Sequence, residues 1–267
     1  LNRIDERFAR LKLRSEKAFI PFITAGDPTL AITKALVLEF DKSGADIVEL
    51  GVPFSDPLAD GVVNQEAAQR ALKHYVSLRH ILAMVKEVRT DSEVPIMLFT
   101  YYNPVLAYGV EELARDSKKA GVDGILCVDL PPEEAKEYID AFEGRGLATV
   151  FLAAPTSTEE RIEIIAKSSS GFVYYVSRTG VTGERDSMES SISGMVAKIK
   201  DHTDLPVAVG FGIAKPEQAA EVGGYADGVV VGSAIVRMIG ELGDSPDTPL
   251  KVGALVKSLA DASKGKG

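Results

Sequence analysis

Ser43-Gly44-Ala45-Asp46-Ile47-Val48-Glu49-Leu50-Gly51, residues 43–51, leads from an amphipathic segment through a glycine and an aspartate into a short apolar run. The same design returns as Ala120-Gly121-Val122-Asp123 before the run 124–128 and as Gly224-Tyr225-Ala226-Asp227 before the run 228–231. A glycine there is expected to take the left-handed conformation that ends a helix ahead of the next strand. Outward from this stretch, apolar runs at 18–24, 47–51, 94–100, 124–128, 147–153, 171–176, 207–210 and 228–231 alternate with helical patterns at 30–43, 67–89, 110–120, 132–145, 158–167, 191–202, 216–222 and 249–263. Strands apolar on both faces imply a parallel sheet covered by helices. Eight such units with no linker between them favour closure into an α/β fold, a (β/α)8 TIM barrel forming one domain over 1–267. The alternative is an open doubly wound sheet, but the first strand leads into Thr24-Ala25-Gly26-Asp27-Pro28 instead of a G-x-G-x-x-G turn.

Residues 1–14 set Ile4, Phe8 and Leu11 at helical spacing among charges, which predicts an extra N-terminal helix and neither a signal nor a transit peptide. The tail 264–267 is expected to fray. With 30 Lys+Arg against 39 Asp+Glu, the net charge of −9 excludes an electrostatic nucleic-acid binder. A 45% hydrophobic and 26% charged composition lies far from that of disordered chains. No apolar stretch approaches the length of a membrane span. The single cysteine, Cys127, sits in an apolar run and reads as a core residue; its isolation fits a reducing, cytoplasmic compartment.

In a barrel the active site is built from the loops that follow the strands. Two of these are distinctive: 51–61, rich in Pro and Asp, and 177–190, which carries Gly180 and Gly183 without a strong apolar period. Glu49 lies near the carboxyl end of the second strand, where burial should raise its pKa toward a value useful for proton transfer. Asp60, in the loop leaving that strand, offers a second carboxylate that can stay ionised. Gly210-Phe211-Gly212-Ile213 and Gly232-Ser233-Ala234 follow the seventh and eighth strands. Paired glycine turns there, with a helix starting near Ser233, form the usual barrel phosphate site. His74, His80 and His202 fall in helical segments or at their ends, and no lysine lies within an apolar run, which disfavours metal-dependent and Schiff-base aldol chemistry. Phe22, Leu98, Phe99 and Leu126, with Tyr101 and Tyr174, are candidates to bind a flat apolar group beside the phosphate, with plain barrel core the alternative reading of each and the better one for most. These residues alone leave open a lyase, a sugar-phosphate isomerase or synthase, and a barrel that serves only to activate a partner.

The blocks 21–28, 49–61, 101–104, 177–183, 210–213 and 232–236 together resemble the tryptophan synthase α-subunit family, in that family's order and over nearly the whole chain. The resemblance implies metal-free, cofactor-free cleavage of indole-3-glycerol phosphate to indole and glyceraldehyde 3-phosphate. It implies that Glu49 shuttles protons and that Asp60 accepts the indole N–H. Gly183, Gly212, Gly232 and Ser233 would hold the phosphate, Phe22, Phe99, Leu126, Tyr174 and Phe211 would surround the indole, and Thr182 would close onto Asp60. It also implies a pyridoxal-phosphate β subunit as partner in an α2β2 assembly, contacted through Pro53, Asp56, Asn103 and Pro104. One departure stands in the key block: Val62-Val63-Asn64 follows Gly61 where the family commonly has proline, and Ala68 stands where asparagine is frequent.

Overall fold

The computed structural model describes residues 2–177, 185–210 and 212–266, with the side chains of 185–191 left aside. The elements run α1 (Arg3–Leu13), β1 (Ala18–Thr24), α2 (Leu30–Lys42), β2 (Val48–Gly51), α3 (Val62–Leu72), α4 (Leu78–Val88), β3 (Ile96–Thr100), α5 (Tyr102–Tyr108), α6 (Val110–Ala120), β4 (Gly124–Cys127), a 3-10 turn (Pro132–Glu134), α7 (Lys136–Glu143), β5 (Ala148–Val150), β6 (Leu152–Ala153), α8 (Glu159–Ser168), β7 (Val173–Val176), α9 (Arg185–Lys200), β8 (Val207–Gly210), α10 (Pro216–Gly223), β9 (Gly228–Val231), α11 (Ser233–Leu242) and α12 (Thr248–Ser263).

The strands pair in parallel in the order β5-β4-β3-β2-β1-β9-β8-β7-β6. The two ends of that order, β5 and β6, are halves of the single apolar run 147–153. Its first half pairs with β4 and its second with β7. The chain itself therefore closes the sheet into an eight-stranded barrel, the expected (β/α)8 architecture.

Two-residue alternation divides each strand between two cores. Ala18 and Ile20, Ile47, Met97, Leu126, Ala148 and Val150, Phe172 and Tyr174, Ala208 and Val230 fill the barrel interior. Their sequence neighbours, Phe19, Val48, Leu98 and Val209 among them, pack outward under the helices. Helix α1 joins the interior core through Ile4, Phe8 and Leu11 and so plugs the amino-terminal end of the barrel. Burial of each contributes roughly 1.5–3 kcal/mol. A capping box between Asn2 and Asp5 starts this helix.

The three recurrent aspartates hold the same end. Asp46 accepts from Phe19 N at 2.9 Å, Asp123 from Ile96 N at 2.9 Å and Asp227 from Val207 N at 3.0 Å. Each also pairs with cations: Arg7 and Lys264, Arg3 and Arg89, and Lys200, respectively. Gly44 and Gly121 take the expected positive φ, +95° and +90°. Gly224 does not: its φ is −65°, right-handed, and the position at this exit that requires glycine is Gly223, where a Cβ would lie 2.5 Å from Ser263 O of α12.

Other expectations shift at element ends. The pattern 67–89 is two helices, α3 and α4, and α3 starts five residues earlier than its apolar period suggested. The break places Tyr75 at φ +54° and lets Val76 fill the space that a Cβ on Gly26 would need. The pattern 132–145 is a 3-10 turn followed by α7. Helix α9 begins at Arg185, inside the stretch expected as loop. Within the tail, Lys264 Nζ meets Asp46 and Lys266 Nζ meets Glu16, both at 2.7 Å, and residue 267 lies outside the described residues.

Candidate active site

The carboxyl ends of the strands surround a cavity of about 470 Å3 lined by Phe22, Ala59, Asp60, Gly61, Asn64, Phe99, Tyr174, Val176, Gly210, Gly212, Ile213, Val230, Gly232 and Ser233. It lies at the end where barrel active sites are built, opposite the α1 plug. Phe22, Phe99, Tyr174 and Val230 are inward-facing strand residues. Phe22 and Phe99 meet edge to face, 5.2 Å between centroids at 76°. Phe22 also packs with Ala67 of α3 and Val236 of α11, so one ring supports both helices whose first turns flank the cavity.

Glu49 stands beside Phe22 in the β1–β2 register and beside Met97 on β3. It is fully buried, and neither carboxyl oxygen has a hydrogen-bond partner. Burial alone pushes its pKa up to about 8. A pKa near 8 favours its neutral acid form at pH 7, in an apolar setting close to Tyr174 of the cavity wall. The buried Tyr174 hydroxyl is pushed up as well, first by burial and then by its proximity to Glu49.

Asp60 closes the loop between β2 and α3. Gly61 caps α3 without a side-chain hydrogen bond, and Val62 is the first helical residue. A proline is well tolerated at that position, and valine occupies it here with the helix start intact. The amino-terminal end of α3 favours an anion at Asp60. The Tyr101 hydroxyl donates to Asp60 Oδ2 at 2.8 Å and accepts from Ala59 N at 3.0 Å, and Gln65 Nε2 donates to the Asp60 carbonyl at 2.9 Å. Phe54 stacks on Tyr101 at 5.1 Å, which ties the 51–61 loop to the start of α5. The pKa of Tyr101 is raised by burial and by its bond to Asp60.

On the other side of the cavity Gly212 has φ +37°, a backbone that favours glycine, and Gly232 caps α11 with no side-chain hydrogen bond. The first N–H groups of α11, from Ser233 onward, have no partner within the helix and no side-chain cap, and Gly232 and Ser233 lie in the cavity wall. Among the described residues no group of three or more His, Cys, Asp or Glu side chains is arranged to hold a metal ion.

Of the sequence candidates, Asp60, Phe22, Phe99, Tyr174, Gly212, Gly232 and Ser233 line the one cavity. Leu126 is buried in the barrel interior and is not on the cavity wall. Leu98 belongs to the outer core, one residue out of phase with the inward face. Thr182, Gly183 and Phe211 lie outside the described residues. Of the expected contact residues, Asp56 and Asn103 are exposed, Pro104 is half-buried and Pro53 is buried. Cys127 is buried, its thiol pushed up by burial and by Asp129, as fits a core residue. The alternation of inward positions, extended past each strand end, also finds lining residues not singled out from sequence, such as Val176 and Val230.

Residues 8–264 match the family described as tryptophan synthase alpha chain. The chain is 52% identical over 262 residues to the tryptophan synthase alpha chain of Geobacter sulfurreducens, covering 98% of this chain and 99% of that one. It is 49% identical over 259 residues to that of Solibacter usitatus, covering 97% of each. Among solved structures, tryptophan synthase subunit alpha from Legionella pneumophila superposes with a TM-score of 0.90 at 40% identity, covering 98% of both chains. A chain of Mycobacterium tuberculosis tryptophan synthase gives 0.89 at 37% identity, again over 98% of both. With a closed parallel barrel, an acid under its mouth and full-length similarity of this order, the chain belongs to the tryptophan synthase alpha chain family.

Proposed function

We infer that this chain cleaves indole-3-glycerol phosphate to indole and glyceraldehyde 3-phosphate, a carbon-carbon lyase step of tryptophan biosynthesis, and that Glu49 and Asp60 carry it. Breaking the bond between indole C3 and the glyceryl chain requires a proton on C3 and loss of a proton from the adjacent hydroxyl. Glu49, held neutral by burial, gives its proton to C3. Positive charge then develops toward the ring nitrogen, where Asp60 accepts the N–H and stabilises the indolenine. The Glu49 carboxylate takes the hydroxyl proton as the carbon-carbon bond breaks, the aldehyde forms and the electron pair returns to the ring. The acid is restored, and the sequence balances without an external oxidant or base.

Phe22, Phe99 and Tyr174 supply apolar surface for the indole, and Gly212, Gly232 and Ser233 bind the phosphate at the start of α11. The carrying observation is the pairing of a sealed, unpartnered Glu49 with a tyrosine-held Asp60 at one barrel mouth. The family's α reaction needs no cofactor on this chain; pyridoxal phosphate belongs to the β subunit, with which the chain forms an α2β2 complex. Leu58 and Leu106, 81% and 54% exposed, stand beside Asp56 and near Asn103 in sequence, apolar surface suited to that contact. We place the enzyme in the cytoplasm; among the described residues no helix is long and apolar enough to cross a membrane.

The test is indole release from indole-3-glycerol phosphate by the purified chain, alone and with a tryptophan synthase β subunit. Release that rises on adding the β subunit supports both reaction and partner. No release under either condition removes the substrate assignment, and release indifferent to the β subunit removes the partner.

A further inference from the structure

Beside Asp60 lies a second, much smaller cavity of about 10 Å3, whose wall includes Phe22, Thr24, Asp60, Asn64, Phe99 and Tyr101. That is about the space one water molecule occupies. Its wall is mostly apolar, but Thr24, Asp60, Asn64 and Tyr101 bring polar groups to it. Asn64, on the first turn of α3, also lines the large cavity, and its Oδ1 is buried without a hydrogen-bond partner. An orphaned buried amide oxygen is destabilising, so one in a site wall calls for a donor. Thr24 lies two residues past Phe22 on the inward face of β1. The protein side chains thus present two acceptors, Asn64 Oδ1 and the Asp60 carboxylate, and a hydroxyl able to donate. Water, with two donors and two acceptor sites, matches that set.

We propose that Asn64 and Thr24 hold one water molecule against the Asp60 carboxylate, and that Asn64 is thereby a positioning residue for the cleavage. The water donates to Asn64 Oδ1 and to Asp60 and accepts from the Thr24 hydroxyl. The water then adds to the Tyr101 bond at Oδ2 a further hold on the Asp60 carboxylate from the side of the small cavity, which turns its plane toward the indole nitrogen. The proposal rests on the reading of Asp60 as the acceptor of the indole N–H. It also gives Asn64 a part in the chemistry that its place in the sequence, as a departure beside Val62 and Val63, does not reveal.

The test compares Asn64→Leu, which keeps the branch at Cγ and removes the acceptor, with Thr24→Val, which keeps shape and removes the donor. Each is measured for kcat and KM in the wild-type and the Asp60→Asn backgrounds. Each single variant is expected to lower kcat about tenfold, with KM changed by less than about twofold. In the Asp60→Asn background each should add less than about twofold, since the group it acts through is already altered. A crystal structure resolving ordered solvent should show one water within hydrogen-bond distance of Asn64 and Asp60, lost in Asn64→Leu. Unchanged kcat in the folded Thr24→Val variant, a full tenfold loss that persists in Asp60→Asn, or a dry small cavity overturns the proposal. Wild-type turnover by Asp60→Asn alone is a different failure: it removes the role of Asp60, and the water bridge with it.

Discussion

Phe22 and Glu49 are direct register partners across β1 and β2, yet Phe22 reaches the cavity while Glu49 is wholly buried. Both side chains point into the barrel, and Tyr174, which lines the cavity, has its hydroxyl close enough to Glu49 for its pKa to be raised by it. Sealing an unpaired carboxyl costs stability, and it supplies a neutral acid next to where an aromatic substrate would stack.

Turnover should depend on the protonated form of Glu49. Since burial raises its pKa to about 8, kcat/KM is expected to be flat through neutral pH and to fall tenfold per unit above about pH 8. A pH-rate profile with no basic limb before pH 10 contradicts this.

The same burial makes stability depend on pH. The folded state keeps a proton on Glu49 that the unfolded chain releases from about pH 4.5, so this group's cost grows as pH rises from there to about 8 and is constant beyond. Glu49→Gln removes that cost. Urea unfolding should find the variant more stable than wild type at pH 8 to 9, by a few kcal/mol, and the two alike near pH 4.5. Equal stability at both pH values goes against a buried, unpaired carboxyl.

Tyr101→Phe deletes the 2.8 Å bond to Asp60 and leaves the stacking on Phe54. A hydrogen bond to a charged group is worth about 1.5–3 kcal/mol, so kcat should drop roughly ten- to a hundredfold with phosphate affinity unchanged. Steady-state kinetics with indole detection checks it, and a loss confined to KM argues for a packing role.

Ser233→Asp sets a negative charge in the first turn of α11, where the backbone N–H groups await an anion. Affinity for glycerol 3-phosphate, read by calorimetry, should fall at least about tenfold. Undiminished binding places the phosphate elsewhere.

Much of the barrel was legible because its cues are local and repeated. The glycine-aspartate exits at 44–46 and 121–123 mark strand starts, and two-residue alternation separates Phe99 from Leu98. Which of the two faces the barrel interior is not legible, since an unbroken apolar run does not say which face points inward; Leu98 packs in the outer core. Glu49 stood out as a lone charge in such a run. Tyr101's grip on Asp60 was not legible, because it joins residues 41 apart through a fold that only the closed barrel supplies. Nor was the start of α3, where Gly61 and Val62 carry no capping signal. The buried Asn64 oxygen likewise appears only when the 51–61 loop is folded over it.

The central claim is that the buried carboxyl of Glu49 moves the protons of the cleavage. Indole release from indole-3-glycerol phosphate by wild type and Glu49→Gln, measured side by side at pH 7, tests it most directly. A loss of at least about a hundredfold in kcat is expected, with phosphate-ligand affinity retained. Wild-type turnover by the folded glutamine variant contradicts it.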